Sequence, residues 1–188
     1  LGSPLELLFY ALLGVLSAFV GILLIRFEVW SEQVAHALKL SPWLRPTLGG
    51  LLVGLLGLGL PQVLGRGYAV TEALLNNVMP AVALTFLLVI AKMLATSISL
   101  AAWGSGGTFA PLLFIGAAFG AGFAQVLQTT GVDVTPGAFA LVGMSAVFSS
   151  ATRAPISSII LMFELSDGYQ LILPLLIASV LSSLIADI

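Results

Sequence analysis

A predominantly apolar run extends from Leu5 to Ile25 with Glu6 as its one charged residue. A helix needs about 20 apolar residues to cross a bilayer, so this run predicts a transmembrane helix. The stretch Arg26 to Arg45 is different, carrying Arg26, Glu28, Glu32, His36, Lys39 and Arg45. It reads as a polar connection, placed on the cytoplasmic side by its basic residues. Beyond it the apolar segments become unequal. Pro80 to Trp103 is full length, whereas Thr47 to Leu60, Pro111 to Leu127, Gly137 to Ala151, Ala154 to Leu165 and Leu171 to Ala186 are mostly short and separated by Gly or Pro. Short, interrupted segments predict broken helices. In lipid a helix can end at depth only where protein or a wet cavity covers its backbone groups. The pattern therefore predicts an almost all-α, multi-pass fold of seven or so unequal helices, in which helix ends are the natural ion sites.

Small residues recur at four-residue spacing, as Gly14 with Ala18, Ser17 with Gly21, Gly50 with Gly54, and Gly116 with Gly120. Such pairs let helix backbones approach closely. Trp30, Trp43 and Trp103 read as anchors at the membrane interface. Leu1 enters an apolar segment almost at once, and Asp187-Ile188 follows another directly, so both ends read as cuts within a larger protein.

Composition narrows the function. Of 188 residues 60% are hydrophobic and 7% are charged, against roughly 25% charged in a soluble domain. The six Lys and Arg are scattered and the net charge is -2, so there is no basic stripe for nucleic acid. Without Cys, and with His36 as the single histidine, thiolate chemistry and a His-rich metal site are excluded.

Gly104-Ser105-Gly106-Gly107-Thr108-Phe109-Ala110-Pro111 opens the apolar run Leu112 to Leu127. Consecutive glycines permit a sharp turn, and Pro111 suits a first helical turn. The unpaired amides at that start, those of Thr108 and Phe109 among them, would point along the axis with the positive end of the helix dipole, where an anion is the expected occupant. On spacing alone a plain Gly-rich turn accounts for the stretch equally well. A phosphate-cradling loop does not, since Thr108-Phe109 stands where Lys-Ser/Thr would be required.

The stretch Gly107-Thr108-Phe109-Ala110-Pro111 matches the G-x-F-x-P signature of the CLC family of chloride channels and chloride/proton exchangers. Further blocks are similar to that family's second half: Gly143-Met144-Ser145-Ala146, Ser149 through Ile156, Ile159 through Leu165, and Asp167 through Pro174. The resemblance implies an all-α polytopic membrane protein of inverted-repeat fold, of which residues 1–188 are the second repeat, helices J to Q; the 188 residues themselves show no segment that reads as a soluble domain. It implies chloride as the transported and bound ion, coordinated by the backbone amides of Thr108 and Phe109 beside Gly107, with the Phe109 ring shaping the path. It implies no cofactor and no enzymatic reaction. Its partners would be the lipid bilayer, the first half of the same protein and a second copy, meeting through 154–186 around Ile159, Leu161 and Ile172. The family's G-S-G-x-P and G-[RK]-E-G-P loops do not occur here, and Gly104-Ser105-Gly106 is not the first of them, because it lacks the following x-Pro.

Other polar residues are weighed against this. Arg153, Glu164 and Asp167 lie in or beside apolar segments and read as structural charges, paired or capping helix ends. Lys92, mid-span, either faces a wet vestibule, where it would concentrate anions, or pairs with backbone carbonyls. Glu6, Asp133 and Asp187 read as loop or interface residues. A second function, an intramembrane serine hydrolase, is suggested by Ser145 in its small-residue turn, but needs a base that neither His36 nor Lys92 evidently supplies. A third, a transporter of unrelated inverted-repeat fold, would share the broken helices but not the Phe109 and Ala154-Pro155 blocks.

Overall fold

The computed structural model describes residues 4–166 and 169–187, so Asp167 and Gly168, within the last block quoted above, lie outside the described residues. Among the described residues eight α-helices follow one another: α1 (Pro4–Ala37), α2 (Leu44–Gly59), α3 (Tyr68–Leu75), α4 (Val82–Ala101), α5 (Phe109–Thr129), α6 (Pro136–Thr152), α7 (Pro155–Ser166) and α8 (Ile172–Ala186). Short 3₁₀ turns at Pro61–Val63 and Tyr169–Leu171 complete the order, and there is no strand among the described residues. Among the described residues three helices are long and apolar enough to cross a membrane, at Glu6–Ala37, Val82–Ala101 and Phe109–Thr129; α2, α6, α7 and α8 are shorter apolar helices.

The first helix departs from expectation. Most of the predicted polar connection is its continuation, because Arg26 to Ala37 contains neither Gly nor Pro to stop it, and Glu32 and His36 form an i,i+4 pair at 3.7 Å on its surface. At 34 residues it is about 51 Å long. The helix ends at a left-handed Lys39 (φ 46°) before Ser41-Pro42. The eight-residue α3 has no counterpart among the predicted segments, since its sequence is too short and mixed to show a period.

Helix α6 is the centre of the molecule, with 0% exposure at Phe139, Ala140, Val142, Ser145, Ala146, Val147 and Ser149. Tyr10 of α1 stacks on Phe139 at 4.3 Å, and Gly21 of α1 faces Ser150, so α1 and α6 run parallel. Helix α5 runs antiparallel to α6. A Cβ at Gly116 would stand 2.5 Å from the Met144 Cα and 2.6 Å from the Gly143 carbonyl, and one at Gly120 would enter the Phe139 carbonyl. Gly14 is equally tight against the Ala178 carbonyl of α8, at 2.6 Å. The expectation of close packing thus holds for these glycines. It fails for Gly50 and Gly54, which have nothing within 4 Å because α2 touches the bundle along its other face.

Buried hydroxyls tie α6 to its neighbours. The Ser145 and Ser179 hydroxyls are 2.7 Å apart, Ser149 donates to the Ser179 carbonyl at 2.8 Å, and Ser182 donates to the Ala146 carbonyl at 2.8 Å. Ser145 also donates to Ser158 at 3.4 Å. Among the described residues its side-chain partners are these two serines, and no histidine, lysine or carboxylate stands beside it as the base that a serine hydrolase needs. The N-terminus of α6 is capped from outside, as the Gly137 amide donates to the Asn77 side-chain oxygen at 2.8 Å.

Arg153 and Asp187 form an ion pair at 3.3 Å that joins the ends of α6 and α8. Arg153 thus has the structural partner expected of it, and Asp187 is more than a loop residue. Glu164 is exposed. Ile159, Leu161 and Ile172 are half-buried, the first two against the core, while their neighbours Ile156, Ile160, Leu173, Leu176 and Leu184 face outward.

Candidate functional site at the start of helix α5

The site is built where α4 ends and α5 begins. Helix α4 closes with the Trp103 amide donating to the Leu100 carbonyl at 3.0 Å and the Gly104 amide to the Ser99 carbonyl at 2.8 Å, the paired bonds of a Schellman ending. The left-handed position is taken by Trp103 (φ 63°), not by a glycine. A bulky residue there needs support, and Arg45 of α2 supplies it. Its guanidinium lies 4.6 Å from the Trp103 ring centroid and its Nε donates to the Ala101 carbonyl at 2.6 Å. A cation therefore sits on the negative end of α4.

The turn expected of the glycines is thus made one residue earlier. Gly106 and Gly107 have no positive φ and nothing within 4 Å of where a Cβ would be. Their contribution is open space beside the backbone. Thr108 is the N-cap, at φ -79° and ψ -11°, and its side chain caps nothing. The first bond of the new helix runs from the Leu112 amide to the Thr108 carbonyl at 2.9 Å. Among the described residues the amides of Gly106, Gly107, Thr108, Phe109 and Ala110 have no backbone acceptor. Those of Thr108, Phe109 and Ala110 are the orphan donors of a helix start, those of Gly106 and Gly107 belong to the segment leading into it, and Pro111 falls within that first turn as predicted. The Phe109 side chain is 41% exposed and meets Phe148 of α6 edge to face at 5.5 Å. Phe148 was not legible in the sequence, where it is one apolar residue among many. The structure thus gathers Gly107, Thr108 and Phe109 at one open helix start, where the amide N–H groups are free to donate to a negatively charged ligand.

Behind the glycine segment lies a cavity of about 180 Å³ lined by Gly104 through Gly107, Pro111, Thr96, Ser99, Gly65 and Lys92. Lys92 is 3% exposed and donates to the Val63 and Gly65 carbonyls, each at 2.7 Å, with its ammonium 5.2 Å from the Phe114 ring centroid. Of the two readings of Lys92, carbonyl pairing is realised, and the same side chain also lines the cavity. No carboxylate lies within ion-pair distance of it among the described residues. Thr108 and Phe109 are outside this lining.

Residues 2–187 match the family model described as voltage gated chloride channel. The chain is 34% identical over 175 residues to a voltage-gated ClC-type chloride channel, ClcB, of Salmonella typhimurium, covering 92% of this chain and 42% of that protein. It is 38% identical over 145 residues to the H(+)/Cl(-) exchange transporter ClcA of Vibrio parahaemolyticus, covering 75% of this chain and 30% of that one. A crystal structure of a eukaryotic CLC transporter superposes with a TM-score of 0.83 at 25% identity, over 98% of this chain and 33% of that chain. The chain thus spans less than half the length of these relatives. With a family match along nearly its whole length, an all-helical multi-pass architecture and the same backbone trace, the chain belongs to the CLC family of voltage-gated chloride channels and exchangers, integral to the membrane.

Proposed function

We propose that residues 1–188 are the second repeat of a CLC anion channel or exchanger, and that they hold chloride with the backbone amides of Thr108 and Phe109, beside Gly107. The observation that carries this reading is the open helix start itself. Among the described residues five consecutive amides lack backbone acceptors, two glycines leave the space beside them empty, and an aromatic pair, Phe109 and Phe148, borders it. Oriented amides at a helix N-terminus recognise an anion without a formal positive charge. That arrangement suits an ion that must also leave. The names of the relatives, a chloride channel and an H(+)/Cl(-) exchanger, support chloride as the ion.

In this reading chloride is substrate and no cofactor takes part. The first repeat supplies the opposite side of the site. A second copy packs on the outward apolar faces of α7 and α8, within 154–186, through Ile156, Ile160 and Leu173 rather than through the half-buried Ile159, Leu161 and Ile172. The test is chloride efflux from liposomes containing the full-length protein. Release of chloride down its gradient is expected, and vesicles that stay as tight as protein-free ones would overturn the reading.

A further inference from the structure

Away from the anion site, the C-terminal end of α1, the start of α2 and the C-terminal end of α4 enclose a groove of about 200 Å³. Trp30, Val34, Leu38, Leu48, Leu52 and Ile98 form most of its wall, and Arg45 stands at it as its one charged residue. We propose that this groove holds an acyl chain of a phospholipid whose phosphate pairs with Arg45.

Three observations on different elements carry the proposal. Arg45 is 6% exposed, yet its Nε bond to the Ala101 carbonyl and its stacking on Trp103 are its only polar partnerships among the described residues. A guanidinium has five N–H donors, and among the described residues its terminal nitrogens have no acceptor and its charge no carboxylate, while these nitrogens are not sealed off and a ligand at the groove can reach them. A buried cation calls for a counter-charge, and a phosphate matches the guanidinium fork. The chain's three tryptophans all stand at this end of the molecule: Trp30 on the groove, Trp43 two residues before Arg45, and Trp103 beneath its guanidinium. Their exposures of 58%, 86% and 58% are those of an aromatic belt, which sits at headgroup level. An occupant at that depth has its polar part beside Arg45 and its apolar part along the wall. The wall itself is almost wholly apolar, so water gains no partners there, whereas a hydrocarbon chain fits.

The experiment uses the full-length protein, stripped of lipid in detergent and titrated with phosphatidylglycerol while bound lipid is followed by native mass spectrometry. One retained lipid per subunit is expected. Arg45→Gln should weaken that binding at least about tenfold, the loss expected when a charged hydrogen-bond partner is removed. Val34→Trp, which fills the groove and leaves Arg45 in place, should abolish it, so the proposal does not depend on Arg45 being dispensable for folding. Six-carbon acyl chains should bind more weakly than sixteen-carbon ones. Wild-type binding by both variants would overturn the proposal. So would full competition by inorganic phosphate without dependence on chain length, which would indicate a soluble anion. In the lipid-stripped protein, a cysteine at Val34 that lipid-soluble maleimide cannot reach would also overturn it, since the rest of the protein would then cover the groove.

Discussion

Replacing Gly116 by Ala tests the packing that holds the anion site in place. The new Cβ would stand 2.5 Å from the Met144 Cα and 2.6 Å from the Gly143 carbonyl, against an ordinary contact of about 3.5–4.0 Å. Both neighbours are backbone, so no side chain can rotate away, and α5 and α6 must part by roughly 1 Å. Overpacking of this kind costs about 1–3 kcal/mol, and contact with a rigid helix belongs at the upper end. Alanine regains about 1 kcal/mol of helix propensity over glycine. The expected net loss is about 2 kcal/mol. Gly50→Ala is the internal control, because nothing lies within 4 Å of its new methyl group; there the propensity gain of about 0.5–1 kcal/mol should stand alone. Unfolding of the full-length protein by sodium dodecyl sulfate in mixed micelles, followed by tryptophan fluorescence, measures both. Equal stability of the two variants, or a stabilised Gly116→Ala, would refute the close approach of α5 and α6.

Two further outcomes follow from the buried polar groups. Lys92→Met leaves the Val63 and Gly65 carbonyls without their donor, which should cost about 1–3 kcal/mol and raise amide hydrogen exchange in residues 61–66; unchanged exchange there would mean that Lys92 does not hold this turn. Ser145→Ala removes the contacts to Ser158 and Ser179 and should cost about 1 kcal/mol without altering chloride flux or reaction with a serine-directed fluorophosphonate, whereas labelling that disappears with Ser145 would revive the hydrolase reading.

Much of this architecture is legible in the sequence because membrane spans are set by length and polarity alone. The runs Pro80 to Trp103 and Pro111 to Leu127 correspond to α4 and α5 within a few residues. Gly107 through Pro111 marked the helix start because a Gly pair followed by Pro at that distance is a local signal. What failed was non-local. Between Arg26 and Ala37 the absence of Gly and Pro permits a helix but does not require one, since polar residues suit an exposed helix and a loop alike, and α1 continues to Ala37. The left-handed turn falls on Trp103 rather than on a glycine because Arg45, 58 positions earlier, stacks on it. Gly50 and Gly116 carry the same four-residue spacing, yet only the second meets another backbone, since periodicity does not say which face is covered. The Phe148 partner of Phe109 and the carbonyl partners of Lys92 depend in the same way on tertiary placement.

The most direct test of the account is chloride calorimetry on the full-length protein with Thr108 replaced by proline and by valine. The Thr108 φ of -79° lies within proline's range of about -65 ± 15°, and Gly107 before it has open surroundings, so proline deletes the amide donor with little demand on the backbone. A hydrogen bond to a charged partner is worth about 1.5–3 kcal/mol, or roughly one to two decades in affinity. Valine retains the amide and loses only a hydroxyl that caps nothing. Thr108→Pro should therefore bind chloride about ten- to a hundredfold more weakly, while Thr108→Val binds close to wild type. Equal weakening by both variants, or wild-type affinity in Thr108→Pro, would contradict an anion held by the amides at the start of α5.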